Sequence, residues 1–294
     1  MPDTITLSAH AKINLFLDIL SRRENGYHNI HSLMQSVTLC DTVTLTRLPE
    51  GEGIVVKTDI PSLPCDRRNL AYRAAERFAP LIGRTPDVSI HIEKRIPMSA
   101  GLAGGSADAA AVLRGLNLLY GTHADTETLC GIGASLGADI PFCIMGGSML
   151  AEGIGERLTP CRGLAQTMWL VIACGGEGVS TPEAYRALDE RYADFAEPRP
   201  VSHRFALLQR ALEEEAYERF GEGMYNIFEE VILPARPIVT KLLTSLREDG
   251  ALAAMMSGSG PSVFGVFVSE ESARAAADAI TRKHGIPAHV TRPN

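Results

Sequence analysis

The stretch Pro97-Met-Ser-Ala-Gly-Leu-Ala-Gly-Gly-Ser-Ala-Asp108 decides the reading of this chain. It follows a segment of alternating hydrophobicity, 88–93, and opens directly into an apolar stripe at helical spacing. Gly101, Gly104 and Gly105 let the backbone adopt positive φ and approach a ligand closely, so that successive amide hydrogens converge on one anion. The start of the helix adds about half a positive charge and unpaired amides at the same place. The pattern predicts a phosphate cradle; a plain glycine-rich connector with Ser106 as helix N-cap is the competing reading. No Gly-Lys pair exists in the chain, which excludes a Walker loop, and the glycines do not follow the dinucleotide order G-x-G-x-x-G. Gly131-Ile-Gly-Ala-Ser-Leu-Gly137 comes nearer to that order, but its last spacing is wrong and it lies between helical segments, so it reads as packing.

Outward from the cradle, elements of both types alternate. Residues 8–20 predict a strand with Ile13, Leu15, Leu17 and Ile19 on one face and Lys12, Asn14, Phe16 and Asp18 on the other. Asn25-Gly26 marks a turn, and 37–46 and 88–93 read as further strands. Helices are predicted over 70–81, 106–119 and 125–136, the second carrying Val112, Leu116 and Leu119 as its apolar stripe; 142–145 reads as a short apolar strand. A composition change near 157–160 predicts two domains, 1–158 and 159–294. The second half reads as a strand at 167–174, helices around 204–219 and 238–248, a strand ending at 256, the turn Ser257-Gly-Ser-Gly-Pro261, a strand at 262–268, a helix at 272–284 and a last strand at 288–291. That order predicts helices on an antiparallel sheet, and an α+β protein as a whole. The Pro-rich and charged stretch 194–203 reads as a surface loop.

The 294 residues are 45% hydrophobic and 21% charged, enough for one large core or two smaller ones. The net charge of -7 opposes nucleic-acid binding, so any phosphate must be held by aimed donors rather than by the long-range field. No export signal begins the chain and no run of apolar residues is long enough to span a membrane, which predicts a cytoplasmic protein with no membrane partner. The six cysteines, Cys40, Cys65, Cys130, Cys143, Cys161 and Cys174, show no CxxC spacing and read as reduced, mostly buried small hydrophobes.

Three stretches together resemble the GHMP kinase superfamily: Ala11-Lys-Ile-Asn-Leu15, Pro97 to Ala107, and Ser257-Gly-Ser-Gly-Pro-Ser262. Lys12-Ile-Asn-Leu-Phe-Leu17, Asn25-Gly-Tyr-His28 and Gly137-Ala-Asp-Ile-Pro141 narrow the resemblance to those members whose acceptor is a cytidine diphosphate-linked methylerythritol of the non-mevalonate isoprenoid route. The match runs in family order from residue 11 to 262. It implies a ribosomal-S5-domain-2-like N-terminal domain, a ferredoxin-like C-terminal sandwich and an active site in the cleft between them. It also implies ATP as phosphate donor, Mg²⁺ as its companion, a small-molecule acceptor phosphorylated on its 2-hydroxyl, and a monomer or homodimer. The family usually reads GLGGGSSDAA, whereas this chain has Ala103 for a glycine and Ala107 for a serine.

The resemblance assigns roles residue by residue. Asp139 corresponds to the catalytic aspartate with Lys12 as its partner; read without the family, Asp139 is a turn residue after a helix and Lys12 an exposed strand residue. The phosphates fall to Pro97, Met98, Ser99, Ala100, Gly101, Leu102, Ala103, Gly104, Gly105, Ser106 and Ala107, and the adenine surroundings to Asn69, Leu70 and Lys94. Tyr27 would stack on cytosine and His28 bond its edge, with Tyr185 opposite, near Thr181; Asn14 would contact the erythritol end. No protein metal ligand is assigned. Mevalonate, homoserine and sugar kinases are the neighbouring alternatives, and a nucleotide sensor without catalysis is the alternative of another class.

Overall fold

The computed structural model describes residues 2–192, 195 and 197–294, and its backbone passes several times between two packed units. The first holds Met1–Ala11, Cys40–Met98 and Ala103–Gly146; the second holds Lys12–Leu39, Ser99–Leu102 and Gly147–Asn294. Two long strands, β1 (Thr4–Arg22) and β2 (His28–Arg47), contribute residues to both.

In the first unit, paired threonine hydroxyls tie β1 to β2, Thr4 to Thr46 and Thr6 to Thr44. Strand β3 (Ile54–Thr58) runs parallel to β4 (Val88–Glu93), and β4 runs antiparallel to β2, with Thr42 opposite Glu93. Helix α1 (Leu70–Ile82) starts where the Asn69 side chain accepts from Ala71 N–H, buries Ala71, Ala74, Ala75 and Phe78, and stops at Gly83 with φ 70°. It packs on α2 (Gly104–Tyr120), whose expected stripe of Val112, Leu116 and Leu119 is fully buried. Helices α3 (Thr126–Ala134) and α4 (Ile140–Met145) complete the unit.

Helix α4 corrects the strand expected over 142–145. A short apolar run carries no period of its own, and Pro141, at the first turn, favours helix entry. The Gly131–Gly137 stretch does serve packing: a Cβ on Gly133 would fall 2.7 Å from Ile140 Cγ2.

In the second unit, β5 (Ser148–Gly153) pairs antiparallel with β2, Gln35 opposite Ser148, and β6 (Arg157–Pro160) pairs antiparallel with β5. Next come β7 (Trp169–Cys174), α5 (Thr181–Arg191), α6 (Arg204–Glu213), a 3-10 turn at Tyr217–Arg219 and α7 (Phe220–Gly223). Strand β8 (Tyr225–Asn226) lies parallel to β1 at Phe16 and Leu17 and leads to α8 (Glu229–Ala235) and α9 (Pro237–Glu248). The chain ends with β9 (Ala253–Met256), β10 (Ser262–Phe267), α10 (Glu270–His284) and β11 (Ala288–Thr291). Strands β11, β7, β10 and β9 form an antiparallel sheet in that order, and α9 and α10 pack on it around Val171, Leu242, Leu246, Val263, Phe267 and Ile280.

Three expectations need amendment. The helix expected over 204–219 is three short pieces. Strand β2 starts nine residues before the expected 37, because its polar residues His31, Ser32, Gln35 and Ser36 are buried and break the apolar alternation. All six cysteines are free, but none is fully buried, and Cys65 is exposed. Asp194 and Ala196 of the expected loop lie outside the described residues. Among the described residues no helix is long and apolar enough to cross a membrane.

Candidate active site

In the second unit, β1 carries Lys12 and Asn14 on one face, as its alternation predicts. That face is buried instead of exposed: Lys12 keeps 5% of its surface and Asn14 3%. Lys12 Nζ donates to Asn14 Oδ1 at 2.6 Å, Gly258 N–H donates to the same oxygen at 3.0 Å, and Asn14 Nδ2 donates to Ser32 Oγ at 2.8 Å.

Residues 99–102 run beside this cluster. Lys12 N–H donates to Leu102 O at 3.1 Å, Ser262 N–H donates to Ala100 O at 3.3 Å, and Ser257 Oγ donates to Gly101 O at 3.0 Å. The 257–262 turn therefore clasps the glycine-rich stretch directly. The contact is backbone on backbone: a Cβ on Gly101 (φ 75°) would lie 2.2 Å from Ser257 O, and one on Gly258 (φ 55°) would lie 3.0 Å from Gly101 O and 3.3 Å from Lys12 Nζ. Asn226 fixes the turn from below by donating to Met256 O and Gly258 O, both at 2.8 Å.

The cradle's conformation matches its composition only in part. Ser99, Gly101 and Ala103 all have positive φ, of 51°, 75° and 58°, so two side-chain-bearing residues occupy the left-handed region. Helix α2 begins at Gly104, two residues before the expected 106; Ala103 is its N-cap residue and supplies no side-chain cap. Ser106 is thus inside the first turn, not at the cap. That turn carries no acidic residue, and the amides of Gly104, Gly105 and Ser106 precede the first intrahelical acceptor. A triphosphate oxygen fits such a terminus.

Also in the first unit, Lys94 is not available to a nucleotide as an open cation. Its Nζ, on a side chain 5% exposed, bonds Asp41 Oδ2 and, at 2.7 Å, Asp108 Oδ2. Asp41 Oδ1 in turn accepts from Arg95 N–H at 2.6 Å and Ile96 N–H at 2.8 Å. Burial opposes the lysine's charge, but the two carboxylates outweigh it and hold Lys94 above its ordinary value. Burial, with Asp41 adding repulsion against the pull of Lys94, pushes Asp108 up to about 7. The triad ties the exit of β4 to the first turns of α2, a structural task beside the adenine role expected of Lys94. Asn69 is likewise committed as the α1 cap, and its Nδ2 donates to Pro64 O at 2.8 Å. Leu70 opens α1 and would lie 3.6 Å from a Cβ on Gly105. Asp139 is half-buried at the head of α4; its carboxylate caps no amide there, while its carbonyl accepts from Cys143 N–H at 3.1 Å.

The nucleobase residues lie in the second unit. Tyr27 is 60% exposed after the turn at Asn25, whose Oδ1 accepts from Tyr27 N–H at 3.1 Å. His28 is buried, its Nε2 2.7 Å from Asp189 Oδ1, and its ring stacks on Tyr185 with centroids 4.6 Å apart and planes 22° from parallel. One face of Tyr185 is thus covered by His28 itself. Thr181, at the first turn of α5, shares a 3.0 Å hydroxyl contact with Ser259.

The relatives of this chain decide its family. The 4-diphosphocytidyl-2-C-methyl-D-erythritol kinase of Alkaliphilus metalliredigens (strain QYMF) is 43% identical over 272 residues, covering 92% of this chain and 91% of that protein. The chain belongs to the 4-diphosphocytidyl-2-C-methyl-D-erythritol kinase family. The kinase of that name from Synechococcus sp. (strain JA-3-3Ab) is 44% identical over 94% of this chain and 89% of its own length. The GHMP kinases N terminal domain matches residues 69–147 and the GHMP kinases C terminal domain matches 208–286. A crystal structure of 4-(cytidine 5'-diphospho)-2C-methyl-D-erythritol kinase superimposes with a TM-score of 0.79 at 34% identity over 99% of both chains. Homoserine kinase from Cytophaga hutchinsonii, at 21% identity and TM-score 0.75, covers 99% of this chain and 95% of its own, and shares the fold alone.

Beyond the motifs of this kinase family, the structure adds Ser32, Asn226, Asp41 and Asp189. Asn226 could be suspected as a buried amide in an apolar stretch; the others carry no local signal, because each meets its partner from far along the sequence.

Proposed function

We propose that this chain transfers the terminal phosphate of ATP, delivered with Mg²⁺, to the 2-hydroxyl of 4-diphosphocytidyl-2-C-methyl-D-erythritol, as a cytoplasmic enzyme of isoprenoid precursor synthesis. The observation that carries the proposal is the meeting of a buried lysine ammonium, the Gly258 amide and the 99–102 backbone at one place, in a chain of this family. Such a cluster fixes a positive charge, the Lys12 ammonium, beside the glycine-rich stretch, and a cation held in place stabilises transferring phosphoryl oxygens without reorganising.

The first-turn amides of α2 and the loop 97–107 hold the nucleotide phosphates in this account. Lys12 stabilises charge on the oxygens around the reacting phosphorus, and Asn14 holds the ammonium in place. Asp139 takes the proton of the acceptor hydroxyl or aims it for in-line attack. Mg²⁺ would accompany the nucleotide and bridge its phosphates. Mg²⁺ would supply neutralisation that a chain of net charge -7 does not. Tyr27, His28, Thr181 and Tyr185 are assigned to the cytidyl end of the acceptor.

An ADP-release assay across acceptors tests this reading. Turnover with the cytidyl acceptor and none with mevalonate or homoserine is expected; a preference for either of the latter would overturn the substrate assignment.

A further inference from the structure

His28 is held from two sides by one helix. Tyr185 and Asp189 stand four residues apart on α5, so they project from the same face one turn apart. Tyr185 stacks on the imidazole at 4.6 Å, Asp189 Oδ1 lies 2.7 Å from Nε2, and Phe195 meets the ring edge-on at 6.2 Å. Arg22 lies 3.5 Å from the other carboxylate oxygen of Asp189. The His28 side chain keeps 4% of its surface and that of Asp189 19%, so the ring has little freedom to turn and the bond little competition from water.

We propose that Asp189 is a positioning residue for base selection, which fixes the tautomer of His28 and thereby makes it select a cytosine over a uracil. An ionised carboxylate only accepts, so the proton of a neutral imidazole facing it sits on Nε2. Nδ1 then holds a lone pair and can only accept. Cytosine presents an exocyclic amine, a donor, where uracil presents a carbonyl oxygen. An acceptor-only ring nitrogen bonds the first and repels the second, and a buried polar group left facing a like partner costs more than a missing contact. The inference rests on the proposed cytidyl acceptor and adds to it the residue that sets the base preference.

Two measurements test it. Asp189→Ala frees the tautomer: the KM for the cytidyl acceptor is expected to rise about tenfold with kcat within about twofold, and the kcat/KM preference for the cytidyl acceptor over its uridyl analogue to fall about tenfold, the worth of one hydrogen bond. Asp189→Asn keeps an uncharged acceptor and is expected to restore most of that preference. A merely structural role would lower activity on both acceptors alike, so an unchanged preference in Asp189→Ala overturns the proposal. Nitrogen-15 shifts of the His28 ring in the wild-type chain read the tautomer directly and need no variant to fold. A proton on Nε2 and none on Nδ1 supports the proposal, and a proton on Nδ1 overturns it. Inactivity of the wild type on both acceptors would count against the proposed function, and the nitrogen shifts would still decide the tautomer.

Discussion

Lys12 Nζ lies 2.6 Å from Asn14 Oδ1, and that oxygen is shared with the amide of Gly258 at 3.0 Å. One short polar side chain therefore positions both the buried cation of the site and the turn beside it. Asn14→Leu, close in size, removes the acceptor from both donors. Leaving a buried donor unpaired costs about 1–3 kcal/mol, so kcat/KM is expected to fall roughly 5- to 150-fold. Steady-state kinetics with the cytidyl acceptor check this; a variant within twofold of wild type would remove Asn14 from the account.

Gly258 tests the clasp between the two glycine-containing stretches. At φ 55° a side chain is strained, and its Cβ would press on Gly101 O at 3.0 Å and Lys12 Nζ at 3.3 Å. Gly258→Val is expected to lower kcat/KM for ATP by at least about tenfold, since strain of this kind costs about 1–3 kcal/mol. Unchanged ATP kinetics would mean that the 257–262 turn plays no part in holding the cradle.

Ala103 is the inverse case, a side chain where the backbone asks for none. Its φ of 58° lies in the left-handed region, which costs an L-residue about 1–2 kcal/mol. Replacing it by glycine relieves that cost but loosens the unfolded chain, and a net stabilisation of about 0.5–1 kcal/mol is expected in urea unfolding. Ala103→Val is expected to destabilise.

Asp108 links the cradle to pH. Burial raises its carboxyl from 3.8 to about 7, so the folded state holds a proton that the unfolded state releases more easily. Its contribution to stability is complete below about pH 3.8 and is lost as pH rises through about 7. Between about pH 4 and pH 7 the unfolding free energy is expected to fall on this account, and Asp108→Asn to flatten that fall. A variant with the wild-type slope would assign the effect to another group.

What the sequence made legible were features written in consecutive residues. The strand 88–93, the helix that starts at Leu70, the small-residue run at 97–108 that leads into a helix and the strand 288–291 all stand where periodicity put them. What it hid depends on distant partners. Nothing near Lys94 in the chain announces that Asp41 and Asp108 enclose it, and nothing near His28 announces Asp189 of α5, 161 residues on. The short run after Pro141 shows a different limit, since four apolar residues fit a strand and a helix equally well. The left-handed Ala103 was hidden for a third reason, because composition records a methyl group but not the backbone angle it must endure.

The most direct test incubates the purified chain with ATP, Mg²⁺ and 4-diphosphocytidyl-2-C-methyl-D-erythritol and follows the product by mass and by phosphorus NMR, beside Asp139→Asn. The wild type is expected to yield acceptor with one added phosphate on its 2-hydroxyl, while the variant binds acceptor and yields none. A wild type that leaves the acceptor unphosphorylated would contradict the proposed activity, and an Asp139→Asn variant that turns over normally would contradict its mechanism.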